Sequence, residues 1–340
     1  MVDLGLKYRI FNIYYMSPIK IAFLENKVTL RGTSVALYDY ADYNEKILNN
    51  KSVIITRPYE VVKGGMDVDI KAYNKFSSRF DMLYYKDTSE LDSIIEKNKI
   101  DVLFIEKSGD SSDKLITTKC KTIVQCVFET HDPHGTYYCG LSEWLNTRNN
   151  TNIPVLHYMV HVDNTSRNLR NILNIPDNAI VFGSYGGTDP LLHYTKEVIY
   201  NIATNPTYSN IYFLFMNIPA FCESSNNLRF IQGTHDMQEK RAFINTCDAM
   251  VYGRVYGETF GLACAEFSIC DKPIIANSDP KDRFHIDTLG DKIILHNSSE
   301  GLFNILTNYS KYKLDVSENG YKKYTPEYVM KEFKQILDII

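Results

Sequence analysis

Short continuous apolar runs recur along the first half of the chain, separated by stretches of helical periodicity or polar residues. Lys20–Leu24 (KIAFL), Ser52–Thr56 (SVIIT), Asp81–Tyr85 (DMLYY), Asp101–Ile105 (DVLFI) and Thr122–Phe128 (TIVQCVF) read as buried strands. Between the first two, Arg31-Gly32-Thr33 forms a loop that leads into an amphipathic helix through Ile47. Continuous apolar strands separated by helices predict a parallel sheet covered on both faces. Right-handed crossovers then make it doubly wound.

The pattern breaks at the polar run Thr147–Asn152 and resumes after an extended connector, Pro154–Val162. Arg167–Leu173 reads as a short helix ending before Ile175-Pro176. Ala179–Phe182 is then a strand running into the glycine loop Gly183-Ser-Tyr-Gly-Gly187, followed by a helix over Tyr194–Ile202. Further strands are expected at Ile211–Met216, Asn227–Ile231, Ala249–Tyr252 and Pro273–Ala276, with helices at Lys240–Cys247 and Gly261–Ser268. This is a second sheet of the same α/β class. Pro326–Ile340 is an amphipathic helix with apolar positions at Tyr328, Val329, Phe333, Ile336 and Leu337. The chain divides into residues 1–158, 159–322 and a terminal segment 323–340. Two such sheets leave a cleft between their carboxyl edges, where ligands of this class bind.

Composition narrows the chemistry. The chain has 340 residues, of which 44% are hydrophobic, and its 37 basic and 41 acidic side chains leave a net charge of −4. That balance excludes a broad basic surface, so nucleic acid is not an expected partner, and any phosphate must be held locally. The seven cysteines show no C-x-x-C pair and no zinc spacing, and read as small buried residues in a reducing compartment. Neither a signal peptide nor a transmembrane run is apparent, so the expected location is cytoplasmic, with peripheral membrane contact left open.

The segment richest in chemistry is Asp248–Ala276, DAMVYGRVYGETFGLACAEFSICDKPIIA. A strand ends in a glycine-flanked loop with Arg254 and Glu258, and a helix opens near Thr259-Phe-Gly-Leu262. Free amides at a helix N-terminus, with the helix dipole behind them, bind anions without net positive charge. Gly261 permits close backbone approach, and Arg254 adds a bidentate clamp. Glu258 and Glu266 are eight residues apart, about 12 Å at helical rise, which places one carboxylate at each end of a diphosphate ligand. Each can accept hydrogen bonds from hydroxyls. Glu266 sits in an otherwise apolar helix beside Ala265 and Phe267, so burying it requires a hydrogen-bonding partner.

These residues carry a resemblance. G-E-T-F-G-L-A-x-A-E resembles the E-x7-E signature of the retaining glycosyltransferases of the GT-B fold usually called GT4. The stretches IPVLHYMVHVDNTSRNLRNILNIP, AIVFGSYGG and CDAMVYGR…DKPIIA are similar to that family's connector, first donor-domain strand and donor-site core. The terminal helix resembles the one that packs back on the N-terminal domain in that fold. The resemblance implies an acceptor-side N-terminal domain, a nucleotide-sugar donor domain and transfer to an acceptor hydroxyl with retention. It implies a glycan, lipid or protein acceptor, and a UDP- or GDP-linked co-substrate without metal or other cofactor. Glu258 would hold the transferred sugar and Glu266 the donor ribose. Thr259, Phe260, Gly261 and Leu262 would line the diphosphate, together with Ser184, Gly186 and Gly187 of the glycine loop. His131, after the strand ending near Phe128, would approach the sugar, and Gly32 would bring backbone close to donor and acceptor.

One departure stands out. The family carries an Arg and a Lys after the first strand of its second domain, whereas this chain has no basic residue from Gly183 until Lys196. Arg254 and the glycine-loop amides are the expected substitutes. Asp67-Val-Asp69 matches a metal-holding D-x-D without the surrounding framework, and neither a P-loop nor a G-x-S-x-G elbow is present. A nucleotide-sugar epimerase or hydrolase of the same fold, and a non-catalytic sugar-nucleotide-binding protein, are the alternatives.

Overall fold

The structure, a computed structural model, describes residues 18–186, 191–312 and 314–340. Six strands form the first sheet: β1 (Lys20–Glu25), β2 (Lys51–Thr56), β3 (Asp81–Tyr84), β4 (Val102–Lys107), β5 (Lys121–Cys126) and β6 (Tyr137–Gly140). They run in the order β3-β2-β1-β4-β5-β6, with every pair parallel. The crossovers contain α1 (Gly32–Lys46), α2 (Tyr59–Val62), α3 (Ile70–Arg79) and α4 (Leu91–Asn98), and α5 (Glu143–Asn149) follows β6. Burial explains the strand composition. Ile21, Ala22, Phe23 and Leu24 of β1 are all at most 1% exposed, so both faces of this central strand are covered by helices.

The second sheet repeats the design with β7 (Ile180–Tyr185), β8 (Ile211–Met216), β9 (Leu228–Ile231), β10 (Ala249–Tyr252), β12 (Ile274–Asn277) and β14 (Ile293–His296). Its order is β14-β12-β10-β7-β8-β9, again wholly parallel. Two short segments, β11 (Gly257–Glu258) and β13 (Asp282–Arg283), pair outside it. Helices α6 (His193–Thr204), α7 (Met237–Thr246), α8 (Leu262–Ile269), α9 (Phe284–Leu289) and α10 (Ser299–Thr307) complete this half. In each sheet the order reverses beside the first strand, between β1 and β4 and between β7 and β10. Ligands of doubly wound sheets bind at such switch points.

Differences from the sequence reading fall at the margins. The edge strands β6 and β14 were not anticipated, whereas β3 and β9, also four-residue edge strands, were. Arg167–Leu173 is not a helix but a turn, closed by Leu173 N–H donating to the Leu169 carbonyl at 2.9 Å. The last helix, α11 (Pro326–Ile339), buries Val329, Met330, Phe333 and Ile336, while Tyr328 is exposed. Phe333 packs on Phe23, Tyr40 and Phe104, so α11 crosses back onto the first half. His157 of the connector locks it there. Its Nδ1 lies 3.0 Å from Glu332 on α11, and its Nε2 lies 3.1 Å from Glu143 on α5. Of the seven cysteines, none of which is in a disulfide, five are buried, while Cys120 and Cys222 are partly exposed. No helix among the described residues is long and apolar enough to cross a membrane.

Candidate active site

The carboxyl edges of the two sheets face a cavity of about 680 Å³. That volume suits a ligand of nucleotide-sugar size rather than a single ion. Its walls are loops that follow strands. The N-terminal half contributes residues 29–35 after β1 and 127–129 after β5. The second half contributes Gly186 after β7, residues 233–235 after β9 and the stretch from Arg254 to Ala263 after β10.

The Glu258 loop is held from several directions. β11 pairs with β13 in parallel, which sets Glu258 opposite Arg283. Tyr252 at the end of β10 donates its hydroxyl to Glu258 Oε1 at 3.0 Å, and Arg254 Nη1 stands 3.6 Å from the same oxygen. The chain then reverses at Gly261, whose φ of +88° is left-handed. A Cβ there would lie 3.0 Å from Glu258 Cβ and Cγ, so glycine is what lets Glu258 fold over the start of α8. The helix therefore begins at Leu262, and Glu258 sits on a strand rather than on a continuous helical turn. The 12 Å helical spacing does not apply.

Two carbonyls in this loop are tied off. Ser142 Oγ donates to the Thr259 carbonyl and the Tyr321 hydroxyl to the Phe260 carbonyl, each at 2.5 Å. Carbonyl and amide of one trans peptide point in opposite directions, so the Phe260 and Gly261 N–H groups are turned away from those anchors. The Phe260 ring is 1% exposed and surrounded by Tyr158, Phe284, Tyr321 and Tyr324. Only its backbone is available to a ligand. Leu262 opens α8 and approaches Gly32 across the cleft, 3.5 Å from where a Cβ at that glycine would be.

Arg254 has its place made by Gly186. A Cβ on Gly186 would lie 1.6 Å from Arg254 Nη2, so the guanidinium lies directly against the glycine loop. Ser184 is buried and does not line the cavity, because strand alternation turns it away while Tyr185 faces the site. Gly187 lies outside the described residues.

Glu266 is 3% exposed and is not a bare carboxylate. Lys240 Nζ donates to its Oε1 at 2.7 Å, and the Tyr185 hydroxyl donates to Oε2. These are the partners its burial requires. Lys240 was missed at the sequence level although it carried a signal. It shares the helical stripe of Phe243, Ile244 and Cys247 on α7, where a lysine is anomalous unless paired.

His131 does not reach the cavity. Thr130 is drawn inward by its hydroxyl contact with Thr151 at 2.7 Å, and the following His131 is exposed. Phe128 and Glu129 of that loop line the cavity instead. Arg148 braces them: its guanidinium donates to the Phe128 carbonyl, to Glu129 and, across the cleft, to Asp282 at 2.7 Å. Trp144 Nε1 reaches the same Asp282 oxygen at 3.1 Å. Both D-x-D aspartates have structural partners. Asp67 pairs with Arg31 at 2.6 Å, and Asp69 caps α3 by accepting from the Lys71 and Ala72 amides.

No protein-family model matches the chain, and no curated protein matches it in sequence. Solved structures do. A glycosyltransferase from Rickettsia africae aligns over 94% of this chain and 98% of its own, with 12% identity and a TM-score of 0.65. Anabaena HepE, solved with UDP-glucose, aligns over 95% and 100% with 13% identity and a TM-score of 0.69. TarM aligns over 94% and 99% with 11% identity and a TM-score of 0.65. The chain has the GT-B fold: two doubly wound, Rossmann-like halves facing a cleft, with a terminal helix returning across it.

Proposed function

We propose that this chain is a glycosyltransferase of the GT4-like kind, moving a sugar from a nucleotide diphosphate to an acceptor hydroxyl with retention and without a metal. The observation that carries the reading is the seating of Glu258. Tyr252 and Arg254 hold its carboxylate over the N-terminal turn of α8, inside a nucleotide-sugar-sized cavity. The solved structure of HepE with UDP-glucose, on the same fold, supports a UDP-linked donor.

In this reading the α8 amides and Arg254 receive the diphosphate and stabilise its charge as it departs. Glu258 accepts hydrogen bonds from the transferred sugar and fixes its orientation. The ribose lies toward Glu266, whose charge Lys240 already balances. The departing phosphate takes the acceptor proton, so no side chain is needed as base. His131 does not line the cavity, so this reading assigns it no contact with the sugar.

The test begins with a thermal-shift screen against UDP-, GDP- and ADP-linked sugars, because a ligand that binds only the folded chain raises its melting temperature. With a donor in hand, Glu258→Gln is expected to lower turnover by about 10²-fold or more at unchanged thermal stability. Near-normal turnover would remove Glu258 from the reaction. Full activity in EDTA is expected. Product analysis with donor alone distinguishes transfer from epimerisation or hydrolysis.

A further inference from the structure

The expected basic pair after β7 is missing, yet among the described residues three lysines line the cavity, Lys75, Lys240 and Lys281, and the first two come from opposite walls. Lys240 comes from α7 of the second half and Lys75 from α3 of the first. The Lys75 ammonium lies over the Tyr38 ring, with Nζ 4.4 Å from the ring centroid. The same ammonium crosses the cleft to donate to the His235 carbonyl at 3.2 Å. Among the described residues no carboxylate lies within ion-pair distance of it. Burial holds its pKa below the ordinary lysine value; the Asp39 charge opposes this, Lys240 adds a smaller effect in the same direction as burial, and Asp163 and Asp236 oppose it more weakly.

An anion between Lys75 and Lys240 relieves Lys75 above all, because the Lys240 charge is already matched by Glu266. The place for that anion follows from α8. Ala263 and Glu266 are three residues apart on one helix face and both line the cavity. The Lys240 ammonium is bonded to Glu266, on the same helix whose first residues, Leu262 and Ala263, open onto the cavity. A phosphate seated on the amides of those residues meets Lys240 from one wall and Lys75 from across the cleft.

Resting on the donor reading above, we propose that Lys75 and Lys240 grip the nucleoside diphosphate from the two halves of the molecule, in place of the basic pair absent after β7. Because Lys75 belongs to the other half, the grip exists only when the cleft is closed. It reads phosphate rather than nucleoside. Lys240 is committed to buried Glu266 and is a poor test residue, so Lys75 is the one to change.

Calorimetry on the full chain would use UDP, GDP and ADP alongside uridine, guanosine and adenosine. Lys75→Met, which removes the charge and keeps an unbranched side chain, is expected to weaken the preferred nucleoside diphosphate by about tenfold or more while changing its nucleoside by less than about twofold. Lys75→Arg should keep most of the diphosphate affinity, and Lys75→Met should flatten its salt dependence. Unchanged diphosphate binding by Lys75→Met overturns the proposal. So does an equal loss for nucleoside and diphosphate, which would make Lys75 a wall residue. If the unaltered chain binds no nucleoside diphosphate, the donor reading itself fails.

Discussion

Gly186→Ala should disable Arg254 without touching it. The added methyl would sit 1.6 Å from Arg254 Nη2, so the guanidinium must retreat by about 2 Å to restore ordinary contact. Arginine is long enough to do so; Gly186 has a φ of +158°, so the substitution also strains the backbone, a cost that the double variant separates from the loss of the guanidinium. The displacement disturbs the Arg254–Glu258 contact, which spans 3.6 Å in the structure. It also withdraws a charge-assisted hydrogen bond from the phosphate, worth about 1.5–3 kcal/mol, or roughly 10- to 150-fold in affinity. Calorimetric titration of Gly186→Ala, Arg254→Ala and the double variant with the donor nucleotide checks this. If the glycine acts through the guanidinium, Gly186→Ala costs little further affinity once Arg254 is gone, within about 0.5 kcal/mol. A full loss persisting in the Arg254→Ala background would refute the reasoning, because the glycine would then act through the backbone.

Three further outcomes follow from the charge arrangement. His157 is held above its ordinary pKa because Glu143 and Glu332 outweigh the burial that opposes its charge, so its stabilisation is complete below about pH 6.5 and is lost as pH rises through its raised value. His157→Gln should therefore flatten the fall in melting temperature on the alkaline side of neutrality. The same contact holds the Glu143 carboxyl down to about 2, so the stability it contributes above its ordinary value is lost progressively as pH falls from there through that figure, measurable by acid titration of circular dichroism. Lys240→Met leaves buried Glu266 with Tyr185 alone and should cost about 3–5 kcal/mol in denaturant unfolding. Adding Glu266→Met to that variant should recover much of the loss, since an apolar pair of similar volume removes the orphaned charge.

Much of the architecture is legible along the chain. Runs such as KIAFL and IYFLFM are apolar on both faces, and only a sheet covered twice accommodates them. The edge strands β6 and β14 escape notice; β6, Tyr-Tyr-Cys-Gly, has no aliphatic residue to mark it as a buried strand. In the site, Gly261, Glu258 and Arg254 are near in sequence, so the local argument about a helix start and a clamp reaches all three. His131 shows its limit. Proximity to a strand end does not say which of several consecutive side chains turns inward, and the Thr130–Thr151 contact decides it.

The chain's own periodicity determined two wound sheets, a glycine-flanked helix start at α8 and the need for a partner to Glu266, because these follow from spacing within single elements. It could not determine the charge balance of the cleft. Lys75 meets the His235 carbonyl 160 residues away, Arg148 meets Asp282 across 134, and Lys240 reaches Glu266 from a different helix. A periodic pattern reports which face of an element is buried. Electrostatic potential at a point sums over every charge near it in space, and only the packed halves bring those charges to one place.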